Sequence, residues 1–268
     1  MTTHAANARA EPTANPDQRT TDSLAKLGLP AEMLPRHIAV IMDGNGRWAR
    51  RQDKPRMFGH RAGANAVRAI VTECASLRLD ALTLYSFSIE NWKRPSEEVD
   101  FLMDLYVQYL NDECDQLMEN NVRFVQIGRR HPLSHRVLQE LDKIVQCTAK
   151  NSGLTLVLAL NYGSRTEIAD AAAAIARDAK AGRIDPNDVN EDLFQRYLYT
   201  AALPDPDLLI RTAGEMRVSN YLLWQISYAE LYVSDVCWPD FRVDQLHEAI
   251  REFARRKRKF GGVGGEES

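Results

Sequence analysis

Apolar residues in this chain fall into short, well-separated runs. His37-Ile38-Ala39-Val40-Ile41-Met42 is the first, and it is rich in β-branched side chains. Leu82 to Phe87, Val122 to Ile127, Leu154 to Leu160, Asp207 to Ile210 and Glu230 to Ser234 follow. Short apolar runs of this kind predict strands buried on both faces. Between them lie segments with helical spacing: Gly63 to Leu77, a long helix opening at Pro95-Ser96-Glu97-Glu98, Leu133 to Lys150, Thr166 to Ala181 and Val243 to Lys259. Proline and acids suit the first turn of that long helix. Strands alternating with helices predict an α/β fold, a single domain whose mainly parallel central sheet is flanked by helices.

The long helix has two sides. Asp100, Asp104, Gln108, Asn111 and Asp115 make a polar stripe, while Val99, Leu102, Met103, Tyr106, Leu110 and Leu117 face elsewhere. The apolar side either packs into a core or lines a cavity for an apolar ligand.

Polar residues gather where strands should end. Asp43 closes the first strand, Gly44-Asn45-Gly46 follows, and Arg47-Trp48-Ala49-Arg50 can open a helix. Strand, acid, glycine loop and helix is an arrangement suited to phosphate, because glycines let backbone N–H groups approach an anion at a helix start. Gly-Asn-Gly is also ordinary turn chemistry. Arg51 to Arg61 reads as a basic loop that holds Arg56 and His60. The second strand ends in Ser88-Ile89-Glu90-Asn91-Trp92-Lys93-Arg94, and the fifth in Arg211 to Asn220, with Glu230 further on. Open α/β sheets bind ligands at the carboxyl ends of their strands. In a parallel sheet these clusters can share one edge.

Composition narrows the classes. The chain has 268 residues, 44% of them hydrophobic, enough for one large core. A net charge of −3 argues against a general nucleic-acid binder, so any anion site is local. Cys74, Cys114, Cys147 and Cys237 are widely spaced and form no C-x-x-C pair, which suggests a reducing compartment with neither a zinc site nor a disulfide framework. No uninterrupted apolar segment approaches the ~18 residues of a spanning helix. Residues 1 to 30, rich in Thr, Ala, Asn and Pro, read as a disordered leader, and 261 to 268 as a flexible tail.

Arg47, Arg56, Arg94, Arg211 and Arg217 exceed what one carboxylate substrate needs. Arginine forks match phosphate oxygens, and two clusters suggest two phosphate-bearing groups. Asp43 and Glu230 are the acids best placed for a magnesium that shares its shell with phosphate. Each residue also has a plainer reading. Arg94 and Arg217 alone suit surface ion pairs, His60 a helix start, Trp48 and Trp92 core or rim aromatics, and Glu230 an arginine partner that holds no metal. The functional reading rests on their joint occurrence at strand ends.

HIAVIMDGNGRWA from His37, GHRAG from Gly59, LTLYSFSIENWKRP from Leu82, LALNYGSRTEI from Leu158, DLLIRTAGEMRVSNYLLWQISYAELY from Asp207 and WPDF from Trp238 together resemble the cis-prenyltransferase family, most closely its bacterial undecaprenyl diphosphate synthase branch. The likeness runs from about Leu34 to Gly262, in the family's order and spacing. It implies a catalytic domain over 31–260 that elongates an allylic diphosphate, typically farnesyl diphosphate, with isopentenyl diphosphate. The expected product is a long-chain cis-polyprenyl diphosphate such as undecaprenyl diphosphate, the carrier lipid of cell-wall glycan synthesis. By motif, Asp43 is the essential acid and magnesium-linked residue. Gly44, Asn45, Gly46, Arg47, Arg56 and His60 hold the allylic diphosphate, with Trp48 at its border. Ser88, Ile89, Glu90, Trp92 and Arg94 lie in the substrate loop, and Asn91 stands at the proton-acceptor position. Arg211, Arg217, Val218 and Ser219 match the isopentenyl diphosphate site, and Glu230 a Mg²⁺ ligand. The resemblance also implies a cytoplasmic homodimer, with peripheral membrane contact open for product release. The basic end Arg255 to Lys259 either touches anionic lipid or is simply solvated.

Three departures from the family's pattern are mild. Ala213 stands where Ser or Gly is frequent, Met216 occupies a variable position that is sometimes His, and Ile89 replaces a small polar residue. An apolar product needs an apolar tunnel, since each buried CH₂ favours retention by ~0.8 kcal/mol. The second strand, the long helix and Leu154 are the expected walls, and the small Ser86 is permissive for a long product.

Overall fold

A computed structural model describes residues 15–256 of the chain. Six strands form one parallel sheet: β1 (His37–Ile41), β2 (Ala81–Ser88), β3 (Arg123–Ile127), β4 (Thr155–Tyr162), β5 (Leu208–Arg211) and β6 (Glu230–Val233), in the order β3-β4-β2-β1-β5-β6. β1 and β4 are buried along their whole length, as their unbroken apolar runs require.

The helices of the described residues are α1 (Pro16–Leu27), α2 (Asn45–Arg50), α3 (Arg56–Ser76), α4 (Ser96–Asp112), α5 (Cys114–Glu119), α6 (His135–Thr148), α7 (Ser164–Lys180), α8 (Glu191–Gln195) and α9 (Val243–Arg255). One face of the sheet carries the larger core, where Ile38, Leu82, Leu84 and Leu156 meet Ile70 of α3, Leu102 of α4, Leu141 of α6 and Ile250 of α9. On the opposite face Ala39, Val157 and Leu209 pack under Tyr221 and Leu222. Tyr221 stacks on Tyr85 at 4.3 Å.

Several expectations change. The stretch 15–30 is ordered: Asn15 caps α1 and accepts a hydrogen bond from the Asp17 amide, Pro16 opens the helix, and Gly28 ends it in the left-handed conformation. Arg251 of α9 donates to the Leu27 carbonyl (2.9 Å), and Leu27 is fully buried. Residues 1–14 of the expected leader, and the tail 261–268, lie outside the described residues. So do Lys257–Lys259 of the basic end, and α9 stops at Arg255.

The basic loop is also shorter than expected. Helix α3 begins at Arg56, seven residues before Gly63, so Arg56 and His60 sit on its first turns. The long helix breaks at Glu113, which puts Asp115 on α5. Cys114 and Cys147 form a disulfide, which corrects the expectation of none and removes the cysteine argument for a reducing compartment. They are 33 residues apart in sequence, but α5 and α6 pack side by side. Cys74 and Cys237 are free and buried.

Candidate functional site

β1, β2 and β5 run in parallel and in register, so their carboxyl ends open on one side of the sheet. The register sets Arg211, the last residue of β5, opposite Ile41, two residues before Asp43. Thr212 clamps the main chain there. Its hydroxyl accepts from the Asp43 amide (2.9 Å) and donates to the Asp43 carbonyl (2.7 Å).

Gly44 follows with φ 98°, a conformation that favours glycine, and a Cβ there would meet Ala213 Cβ at 2.7 Å. It leads directly into α2, whose first amides have no partner within the helix. At Gly59, α3 presses on the α2 backbone so closely that a Cβ would lie 1.9 Å from the Asn45 carbonyl oxygen.

A cavity of ≈ 680 Å³ opens at these strand ends. Its mouth is lined by Asp43, Gly44, Asn45, Gly46, Arg56, His60, Ser88, Glu90, Asn91, Arg94, Arg211, Arg217 and Ser219. Its deeper wall includes Val67, Leu102, Leu105, Leu110 and Leu158. The apolar side of α4 therefore serves both core and cavity. The β4 contribution is Leu158, near the strand's carboxyl end. Leu154 lies at the opposite end of β4, away from this cavity. Ser86 lines the cavity and donates to the Tyr106 hydroxyl (2.9 Å).

Two charge clusters flank the mouth. In the first, Asp43 accepts from the Gly44 amide (2.7 Å) and from Arg211 (2.9 Å), and Arg47 stands 3.8 Å away. Burial pushes the Asp43 carboxyl up, but the Arg211 hydrogen bond, the Gly44 amide and the nearby charges of Arg211 and Arg47 outweigh it and hold the group ionised below the usual range. Arg211 also donates to Ser219 (2.7 Å), and its buried Nε has no partner among the described residues. Glu215 pairs with Arg47 (3.0 Å) and with Arg217.

In the second cluster, Glu98 meets Arg94 (3.0 Å), Arg56 (3.2 Å) and His60 (3.6 Å). His60 is lowered to about 4, by burial first and by the Arg94 charge second, so its imidazole is neutral at pH 7.

The remaining expected residues are placed differently. Asn91 faces the mouth with its carbonyl accepting from the Ser88 amide (3.1 Å). Glu90 accepts from Asn220 (2.9 Å). Trp48 is turned to Asp240 (2.7 Å), and Trp92 to Asn161 (2.8 Å) and Phe87. Val218 packs under the sheet, and Ile89 lies against Gly163, so neither these two nor Trp48, Trp92 or Arg47 line the cavity.

Glu230 corrects the reading most. It pairs with Leu208 at the amino end of β6, three residues from the Arg211 level, or about 10 Å along the strand. Its carboxylate holds Arg256 (2.9 Å). Within this chain it is an arginine partner and is apart from Asp43.

The family model Prenyltransf, described as "Putative undecaprenyl diphosphate synthase", matches residues 41–261. The chain belongs to this family. It is 49% identical over 238 residues to the isoprenyl transferase of Clostridium tetani, covering 89% of this chain and 93% of that one. It is 46% identical to the ditrans,polycis-undecaprenyl-diphosphate synthase ((2E,6E)-farnesyl-diphosphate specific) of Vibrio cholerae, covering 90% of this chain and 96% of that one. Among solved structures, lavandulyl diphosphate synthase from Lavandula x intermedia, in complex with dimethylallyl diphosphate, matches with a TM-score of 0.84 and 34% identity over 86% of this chain and 99% of that one.

Family membership makes the chain a prenyltransferase. It leaves open why Glu98, Glu215, Thr212 and Asn220 stand where they do, and none of these was singled out from the sequence. Asn220 ties three loops, donating to Glu90 and accepting from the Arg165 amide (2.8 Å) and, through its backbone carbonyl, from Ser164 (2.8 Å). One signal was available, because Arg94 and Glu98 are spaced i, i+4 at a helix start.

Proposed function

We propose that this chain condenses isopentenyl diphosphate with an allylic diphosphate, farnesyl diphosphate by analogy with the Vibrio relative, and makes a long cis-polyprenyl diphosphate. The observation that carries this reading is one cavity with an arginine-rich mouth and an apolar interior. Its chemistry fits a molecule with a diphosphate head and a hydrocarbon tail. The Gly44–Arg47 turn with Arg56, His60 and Arg94 takes the allylic head. Arg211, Arg217 and Ser219 take the isopentenyl head.

In the step we propose, the allylic C–O bond breaks and its electrons leave with the diphosphate. C4 of isopentenyl diphosphate forms the new C–C bond, and a C2 proton is lost. The guanidinium and amide donors stabilise the departing charge by preorganised electrostatics. Asn91 is neutral and its carbonyl is committed to Ser88, so we assign it to orienting the substrates and assign the proton to a diphosphate oxygen. The residues fit Mg²⁺ shared with substrate: Asp43 supplies one ionised carboxylate, and magnesium in such sites keeps waters and takes phosphate oxygens. When bound, the metal would neutralise diphosphate charge.

Two further parts of the reading concern assembly. The exposed edge of β6, with Leu231 half-exposed and Tyr228 exposed beside it, supports a homodimer. No helix among the described residues is long and apolar enough to cross a membrane, which is compatible with a cytoplasmic protein that meets the inner membrane face peripherally.

The test is to incubate the protein with farnesyl diphosphate, labelled isopentenyl diphosphate and Mg²⁺, then size the lipid. A ladder ending in a long polyprenyl diphosphate is expected. A single short product would favour a short-chain enzyme, and label left entirely in isopentenyl diphosphate would defeat the reading.

A further inference from the structure

Glu98 does not line the cavity, yet it touches three side chains that do. Arg56 and His60 come from α3, and Arg94 from the turn before α4. All three approach the same oxygen, Oε1. The Glu98 side chain is only 14% exposed. An acid in that position fixes the directions of two arginines that would otherwise repel or splay, stands 3.6 Å from a His60 Nε2 that has no hydrogen-bond partner among the described residues, and subtracts one charge from what they present.

His60 is neutral at pH 7, so this half of the mouth holds two arginines against one carboxylate. The other half holds Arg47, Arg211 and Arg217 against Asp43 and Glu215. With Glu90 also in the lining, the five arginines exceed the four acids of the mouth by one positive charge. An anion-binding enzyme that must also release an anion needs such a limit, because uniform tightening of the diphosphate hold does not speed the chemical step.

We propose that Glu98 is the positioning residue of the allylic half: it aims Arg56 and Arg94 at the cavity beside His60, and its charge sets how firmly that half holds a diphosphate. The inference rests on the prenyl-transfer reading above. Gln at 98 keeps an oxygen for both arginines and removes only the charge. Ala removes both oxygen and charge.

The test compares wild type, Glu98→Gln and Glu98→Ala. The probe is farnesyl thiodiphosphate, an allylic analogue that resists ionisation, titrated calorimetrically and paired with steady-state turnover. Glu98→Gln is expected to bind the analogue about tenfold more tightly or better. It is also expected to lower KM for farnesyl diphosphate and to lower kcat, because the diphosphate product leaves more slowly. Its KM for isopentenyl diphosphate should stay within about twofold. Glu98→Ala is expected to lose about tenfold or more in kcat/KM for farnesyl diphosphate, as the arginines lose their direction.

A merely structural Glu98 would weaken binding in both variants. Analogue binding in folded Glu98→Gln that is unchanged or weaker overturns the proposal, even with an active wild type. A wild type that neither binds the analogue nor incorporates isopentenyl diphosphate removes the prenyl-transfer reading and this inference with it.

Discussion

The two ends of the sheet are both charged and both border a hollow, ≈ 680 Å³ at the carboxyl ends and ≈ 390 Å³ beside Asp80 and Leu154 at the amino ends, and only the first sets surplus arginines over an apolar interior. At the amino ends of the strands, Asp207 accepts from the Arg36 and His37 amides (2.8 and 3.2 Å), and Arg36 pairs with Asp80 (2.7 Å). His37 donates to the Pro204 carbonyl and accepts from the Thr83 hydroxyl (2.6 and 2.7 Å). Glu230, at the same end, is matched by Arg256. At the carboxyl ends, five arginines share three acids, Asp43, Glu98 and Glu215. One end closes its charges into pairs and the other has cation to spare beside the larger open volume. Charge density alone therefore does not mark a site. Surplus charge converging on a cavity does.

Breaking the surplus end is expected to have the largest effect. Asp43→Ala should lower isopentenyl incorporation by on the order of 100-fold or more while the far-ultraviolet dichroism stays native. Full activity in that folded variant would remove Asp43 from the chemistry. Arg211→Ala comes next. Hydrogen bonds to charged groups are worth roughly 1.5–3 kcal/mol each, so turnover should fall by at least about tenfold. Substrate-resolved kinetics should place much of the loss on the isopentenyl side.

At the closed end the expected effects are on stability and not on turnover. Burial lowers His37 to about 4 in the folded chain, so it stays neutral there, while the unfolded chain protonates it near pH 6.5. Between those values the unfolded state holds the extra proton. The stability this group contributes is complete above about pH 6.5, falls by ~1.4 kcal/mol per pH unit as pH drops to about 4, and then levels. His60 acts with the same sign. Urea melts across this range should show a shallower acid loss in His37→Gln than in wild type, and identical slopes would contradict the shift. Arg36→Ala is the smallest case. Its ion pair with Asp80 is largely exposed, so stability should change by about 1 kcal/mol or less and turnover by less than about twofold. A large loss of activity in that variant would blur the contrast between the two ends.

Much of the site was legible because strand ends in a parallel sheet share an edge. Finding Asp43, Arg94 and Arg211 each just beyond an apolar run was enough to group them. Glu230 shows the limit of that rule. It opens its strand, and in a parallel sheet an opening residue lies at the far edge, so its own position argued against joining Asp43. Glu98 and Glu215 were passed over because acids in a helix's first turn and in a loop have ordinary explanations. Only the approach of α3 to α4 brings Arg56 and Arg94 onto one carboxylate. Helix α1 was hidden because its stability comes from docking. Leu27 and Arg251 are 224 residues apart, and the local composition reads as polar leader. The Cys114–Cys147 pair was invisible for the same reason, since contact between neighbouring helices leaves no trace in cysteine spacing.

A crystal structure of the protein with farnesyl thiodiphosphate and Mg²⁺ bears most directly on the idea that one cavity takes both charge and hydrocarbon. The diphosphate should lie within hydrogen-bonding distance of the Gly44–Arg47 turn and Arg56, with the prenyl tail running past Leu102 toward Leu110 and Leu158. A diphosphate bound elsewhere, or a tail left in solvent with the cavity filled by water, would contradict it.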